Sequence, residues 1–214
     1  GQSFGGLMAS GLLNVVGEHM NGLQIAGIAN ITASKLNGVQ IALCNYATQA
    51  RGLQIGLVNY YREDMKGFQL GLVNANPDTK VQMMVYGGNA TPANIGVRFK
   101  NQLFYTILGV GSMYQGLNDK FSASASYRAG LSFPLYKGLS ISGDLGYQHI
   151  EAFDNKDEVI PKRLYALQAR ANLEYQFTKK FGIFVTGGYG LTRFYNKSSN
   201  YDKGAIIEAG IVLF

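Results

Sequence analysis

Tyr165-Ala-Leu-Gln-Ala-Arg-Ala-Asn-Leu-Glu-Tyr-Gln-Phe177 is the stretch that decides the fold class. One parity reads Tyr165, Leu167, Ala169, Ala171, Leu173, Tyr175, Phe177; the other reads Ala166, Gln168, Arg170, Asn172, Glu174, Gln176. Strand side chains alternate between faces, so an extended chain here has one apolar and one polar face. Helical winding would carry Arg170 and Glu174 into the apolar stripe. The same alternation runs through Phe121 to Leu135, Leu139 to Tyr147 and Phe181 to Tyr195. Leu103 to Tyr114 is apolar on both parities, which leaves its orientation open. These runs exceed the about 5–6 residues of an ordinary strand. They match tilted strands that cross a bilayer, which need about 9–11 residues.

The connections alternate in length. Lys100-Asn-Gln102, Tyr136-Lys-Gly138 and Thr178-Lys-Lys180 are short; Gln115 to Lys120, Phe153 to Lys162 and Asn196 to Gly204 are longer and polar. Short turns at one end and longer loops at the other suit a membrane barrel. Composition agrees. Charged residues make up 15% of the 214 residues, below the about 25% of soluble domains, and 28 residues are Gly. A barrel wall that faces lipid needs little charge. No apolar run approaches the about 20 residues of a spanning helix. No leader pattern opens the chain at Gly1, so an exported protein is expected to be the processed form or to lack its leader. One Cys excludes a disulfide framework and a Cys-built zinc site, two His exclude most His-built clusters, and no cofactor is expected.

Residues before 76 repeat. The units are Gly22-Leu-Gln-Ile-Ala-Gly-Ile-Ala-Asn30, Gly38-Val-Gln-Ile-Ala-Leu-Cys-Asn45, Gly52-Leu-Gln-Ile-Gly-Leu-Val-Asn59 and Gly67-Phe-Gln-Leu-Gly-Leu-Val-Asn74, after a degenerate copy at Gly6 to Asn14. Leading glycines lie 16, 14 and 15 residues apart, which is shorter than helical repeats and fits one strand plus a turn. The chain therefore reads as all-β: a single antiparallel up-and-down transmembrane barrel over 1–214, with repeat-built strands in 1–75 and non-repetitive strands in 76–214. Candidate strand starts number about 13, and the even counts of bacterial barrels point to 12–14, with 14 favoured. A third arrangement divides the chain into a β-solenoid at 1–75 and an eight-stranded barrel after it.

The alternating strands resemble bacterial outer-membrane β-barrel proteins. The Gly-Leu-Gln-Ile-Gly-Leu-Val-Asn units, over residues 20–75, resemble the surface repeat-containing proteins of Bacteroidota and spirochaetes. The first resemblance implies a bacterial outer-membrane location and an assembly signal at the terminal aromatic, Phe214. Val212 and Phe214 share a parity with Glu208, while Ile207, Ala209, Ile211 and Leu213 form the apolar parity, so the face of the last strand stays open. Aromatic girdles are expected at Phe99, Phe133, Phe177 and Phe181 beside the short turns, and at Tyr114, Tyr147, Tyr165 and Tyr195 toward the long loops.

The lumen parities collect Arg98, Arg128, Asp144, Gln168, Arg170, Glu174 and Glu208. They could constrict a pore or close the lumen as ion pairs; mixed signs favour closure. The Gln column (Gln24, Gln40, Gln54, Gln69) and the Asn column (Asn30, Asn45, Asn59, Asn74) suit structural hydrogen bonding. In a meander these Gln would line the lumen; in a solenoid they would form ladders. His149 lies near Asp144, Glu151 and several Ser, but no spacing specifies nucleophile and base, and no enzyme activity is expected. His19 reads as a turn residue, and Cys44 as a small apolar residue in the place of Val58. The net charge of +6 could suggest nucleic acid. However, Lys120, Lys137, Lys156, Lys179, Lys180, Lys197 and Lys203 fall in turns and loops, so the expected partners are outer-membrane lipid, including lipopolysaccharide, and an outer-membrane protein. Two roles follow: a structural or accessory subunit of a larger complex, or a small passive, porin-like channel.

Overall fold

The structure, a computed structural model, describes residues 3–114, 117, 121–153, 163–196 and 198–214. It forms two compact units, 1–79 and 80–214. Lys120, Lys156, Lys197 and most of the two longer loops expected at 115–120 and 153–162 lie outside the described residues.

The second unit is a closed antiparallel barrel of eight strands. They are β8 (Lys80–Gly88), β9 (Ala93–Asn101), β10 (Phe104–Ser112), β11 (Ser122–Tyr136), β12 (Leu139–Ala152), β13 (Arg163–Thr178), β14 (Phe181–Phe194) and β15 (Asn200–Leu213). The barrel closes where β15 pairs with β8, from Glu208↔Gly88 to Leu213↔Met83. The parity of 165–177 falls as alternation requires: Gln168, Arg170, Asn172 and Glu174 are buried, while Leu167, Leu173, Tyr175 and Phe177 are exposed. Strand β10 turns Tyr105 and Ile107 inward, and β15 turns Glu208 and Val212 inward. Phe214 packs against the internal cluster of Met84, Tyr86, Phe184 and Val212, and its amide donates to the Lys180 carbonyl at 3.1 Å. It therefore lies on the inward parity of the last strand. Phe133, Phe177, Phe181, Tyr147 and Tyr195 are exposed on the wall, and Phe99 and Tyr165 are half-buried. Tyr114 departs from the girdle expectation. It is buried with Ile150 and Leu164, and its hydroxyl lies 2.7 Å from Thr192 Oγ1.

The single barrel of 12–14 strands over 1–214 is corrected by the first unit. Its strands are β1 (Phe4–Ser10), β2 (Leu13–Val16), β3 (His19–Ala26), β4 (Ala29–Ile41), β5 (Cys44–Ile55), β6 (Val58–Leu70) and β7 (Val73–Ala75), and every pairing among them is parallel. Registers join equivalent residues: Gly22↔Gly38↔Gly52↔Gly67, Gln24↔Gln40↔Gln54↔Gln69, Asn30↔Asn45↔Asn59↔Asn74. Cys44 lies beside Ala29, so fifteen residues bring the chain back to its start, one strand spacing along (44 − 29 = 15). Each repeat is thus a complete coil, and the unit is a β-solenoid. One unit contains two strand arms and two reversals rather than one strand and one turn, which is the third arrangement, a β-solenoid followed by an eight-stranded barrel. His19 opens β3, and Cys44 takes the place of Val58 one coil on.

The repeat glycine makes the stacking possible. Gly38, Gly52 and Gly67 have φ of 142°, 132° and 149°, a region that side chains rarely enter. A Cβ on Gly38 would meet the Gly22 carbonyl oxygen at 1.9 Å.

Candidate functional site in the barrel lumen

Eight strands enclose a lumen just wide enough for side chains to fill. Here the filling is ionic. Arg98, from β9, holds Glu174 on β13 with two parallel bonds, Nη1 to Oε2 at 2.6 Å and Nη2 to Oε1 at 2.9 Å, while its Nε donates to Gln82 at 2.6 Å. Arg128, from β11, grips Asp144 on β12 through Nε and Nη2, both at 2.8 Å. Arg170, from β13, donates from Nε and Nη2 to Glu208 on β15, both at 3.2 Å. Arg128 Nη1 also faces Glu208 at 3.6 Å, which ties the last two pairs together. Three guanidinium groups thus meet three carboxylates, and the six charges balance. Such two-point pairs are the strong form of the interaction, and burial demands them because an unpaired buried charge is costly.

Neutral groups extend the network, and the buried Nη1 atoms of Arg128 and Arg170 are left without a hydrogen-bond partner among the described residues. The Tyr105 hydroxyl donates to Asp144 at 2.7 Å, and Asn172 donates to the same oxygen at 2.9 Å. Thr186 donates to Asn172 at 2.7 Å. Gln168 donates to Gln148 at 3.0 Å, and Gln148 to Ser124 at 2.8 Å. Glycine makes the room: a Cβ on Gly146 would meet Arg170 Nη1 at 2.9 Å and Arg128 Cγ at 3.2 Å. All seven residues of the lumen parities are buried inside the barrel, six as ion pairs and Gln168 in the amide chain. Gln82, Tyr105, Gln148 and Asn172 join them. Asn172 and Gln148 share the polar parity of their strands and were findable on that ground. Tyr105 was hidden in a strand that is apolar on both faces.

The network divides two recesses. One of about 440 Å³ is lined by Tyr114, Gln168, Thr192 and Lys203; the other, of about 390 Å³, by Lys100, Tyr136, Glu174 and Phe214. They share no lining residue. Between Arg98, Arg128, Tyr105 and Glu174 a cavity of about 10 Å³ remains, scarcely room for one water.

The Gln column is not in the lumen. Gln40 donates to Gln24 at 2.8 Å, Gln54 to Gln40 at 2.9 Å and Gln69 to Gln54 at 2.9 Å, a ladder inside the solenoid. His149 contacts Tyr195, with Nδ1 2.7 Å from the hydroxyl, and Glu151 at 3.2 Å. It joins the aromatic rim formed by Tyr147, Tyr165 and Tyr195. Among the described residues no group of three His, Cys, Asp or Glu side chains could hold a metal ion. Lys137, Lys179 and Lys180 sit at the short turns and Lys203 on β15.

No protein-family model and no curated protein matches the chain. Solved structures similar to it include the N-terminal β-barrel domain of Pseudomonas aeruginosa OprF, at 15% identity and TM-score 0.44 over 62% of this chain and 93% of that one. Neisserial surface protein A is similar at 8% identity and TM-score 0.42, over 62% and 92%. A de novo designed transmembrane β-barrel is similar at 13% identity and TM-score 0.40, over 62% and 91%.

Proposed function

We propose that the chain is an integral protein of a bacterial outer membrane, with a closed barrel that serves as a structural or accessory subunit of a larger outer-membrane complex. The filled lumen carries this reading. A conducting barrel must leave a path for its solute, whereas here three buried ion pairs and a bonded amide chain occupy the cross-section. The exposed wall, with Leu145 and Ile207 about 71% and 67% exposed, supports lipid as its surroundings. Turn lysines suit anionic headgroups, including those of lipopolysaccharide.

Reconstitution into a planar bilayer tests the closed barrel. The expected result is no discrete conductance; stable single-channel steps from the pure chain would establish the porin-like alternative instead. Extraction from native envelope in mild detergent, followed by mass spectrometry, tests the subunit role. A stoichiometric outer-membrane partner is expected, and a chain that travels alone overturns the role. Vesicles with and without lipopolysaccharide test the lipid partner, and equal binding to both would remove it.

A further inference from the structure

The solenoid reverses its polarity halfway along each coil. On the arm of β5, Ala50 points in and Arg51 out; across Gly52, Leu53 points out and Gln54 in. The neighbouring coil repeats the exchange, with Met65 in and Lys66 out before Gly67, then Phe68 out and Gln69 in. On one side of this level the unit is built like a water-soluble protein. Its interior is Val16, Met20, Leu36, Ala47 and Ala50, and its surface carries Glu18, Lys35, Arg51, Arg62, Glu63 and Lys66. On the other side the interior is amide. Asn45 accepts from Asn30 at 3.0 Å and donates to Asn59 at 2.9 Å and to the Ile55 carbonyl at 2.7 Å. These Asn and Gln groups are satisfied without water. The outside of that half is apolar on both sheet faces and around the reversal.

The reversal itself is a row of Leu12, Ile28, Leu43, Leu57 and Leu72, each 37–65% exposed. Phe68, at 75%, marks one face, and Leu13 and Val58 the other. A single protein surface laid against the unit would cover one face. Apolar side chains that point outward on two faces and an edge require a medium that wraps them. Polar atoms paired wholly inside are what such a medium demands. Near the level of exchange on the returning arm, Tyr46 and Tyr60 stack with ring centroids 5.8 Å apart, as interfacial aromatics do. From Gly38 to the end of β4 at Ile41 the arm reaches about 10 Å at the usual strand rise, about a third of a hydrocarbon core of about 30 Å.

We propose that the solenoid is a lipid-embedded wedge: its leucine edge enters one leaflet to the level of the repeat glycines, and its charged edge stays among headgroups and water. The occupant of the apolar faces is lipid acyl chain. This rests on the membrane reading of the chain but adds a second, non-barrel element in contact with lipid. Between the inner coils the backbone amides pair from strand to strand and the Asn ladder fills the reversal, while β1, β2, β7 and the 64–70 arm of β6 each pair on one side only.

The sole cysteine provides the probe, since Cys44 is exposed beside the leucine row. The full chain, spin-labelled at Cys44, is reconstituted into phosphatidylethanolamine–phosphatidylglycerol vesicles, and collision rates with oxygen and with a water-soluble nickel chelate are read by electron paramagnetic resonance. Two controls carry Cys44→Ala: Gln49→Cys on the charged edge and Leu145→Cys on the barrel wall. The expected result is oxygen-rich, nickel-poor labels at 44 and 145, with nickel collisions several-fold higher at 49. A nickel-accessible label at 44 beside an oxygen-rich one at 145 overturns the wedge and leaves the barrel reading standing. A nickel-accessible label at 145 overturns the barrel reading and the wedge with it. A label at 44 shielded from both reagents means that a second copy covers the edge, and this too overturns the proposal.

Discussion

Arg128→Met should weaken the barrel more than any other single change in the lumen. Arg128 is 1% exposed, binds Asp144 through two atoms and faces Glu208 at 3.6 Å. Methionine fills similar volume but leaves Asp144 without its cation, while Glu208 keeps Arg170 and loses only the longer contact. Breaking a buried pair from one side costs about 3–5 kcal/mol, because the abandoned charge stays desolvated. The loss is measured as a fall in urea midpoint for the chain in vesicles, followed by circular dichroism and by the gel shift between folded and unfolded forms. The double variant Arg128→Met/Asp144→Leu removes both charges of the tightest pair and should recover a large part of the loss. A single variant as stable as the parent would mean that these charges are hydrated through an open lumen, and the closed barrel would fail with it.

The residues of that network were visible as a set before their pairing was. Alternation alone puts Arg170, Asn172 and Glu174 on one face of 165–177, because parity is a local property of an extended chain. Partner choice is not local. Asp144 lies directly across from Arg170 on β13, yet the guanidinium that bonds it is that of Arg128 on β11. Gly146, opposite Arg128, gives the guanidinium room to reach along the strand. Closure of the barrel then brings Arg98 to Glu174 from a strand that is not its neighbour. Tyr114 shows the same limit: in a run apolar on both faces, nothing nearby in the chain says which parity points inward.

The repeats leave a different ambiguity. A period of about fifteen residues is compatible with one strand and a turn, or with two short arms and two reversals. What separates the two is the neighbour each residue needs. A hairpin sets Gln24 beside an unlike residue, whereas a coil sets it beside Gln40. An amide both donates and accepts, so identical amides side by side form a chain of bonds, and four Gln and four Asn recurring every 14–16 residues are the signature of stacking. The leading glycines carry the same message, since a β-carbon there has no place beneath the next coil.

Gly52→Ala should therefore unmake the solenoid while sparing the barrel. The residue sits at φ 132°, and an added Cβ would meet the Gly38 carbonyl oxygen at 2.0 Å. Backbone conformations reserved for glycine cost other residues about 1–3 kcal/mol each. The clash adds to that, because the atom it strikes is backbone and can move only by parting the coils. Repeat proteins hold together through nearest-neighbour contacts, so a fault between the second and third full coils weakens both sides of the stack. Hydrogen exchange followed by mass spectrometry resolves the two units in one experiment. Amides of 29–70 should lose protection by at least about tenfold, the equivalent of roughly 1.4 kcal/mol, while those of 122–152 keep theirs. Gly187→Ala is the matched control, since its added Cβ meets nothing within 4 Å; it should change neither region. Unchanged exchange in Gly52→Ala would show that the coils do not press on one another at their glycines, and in-register stacking would have to be given up.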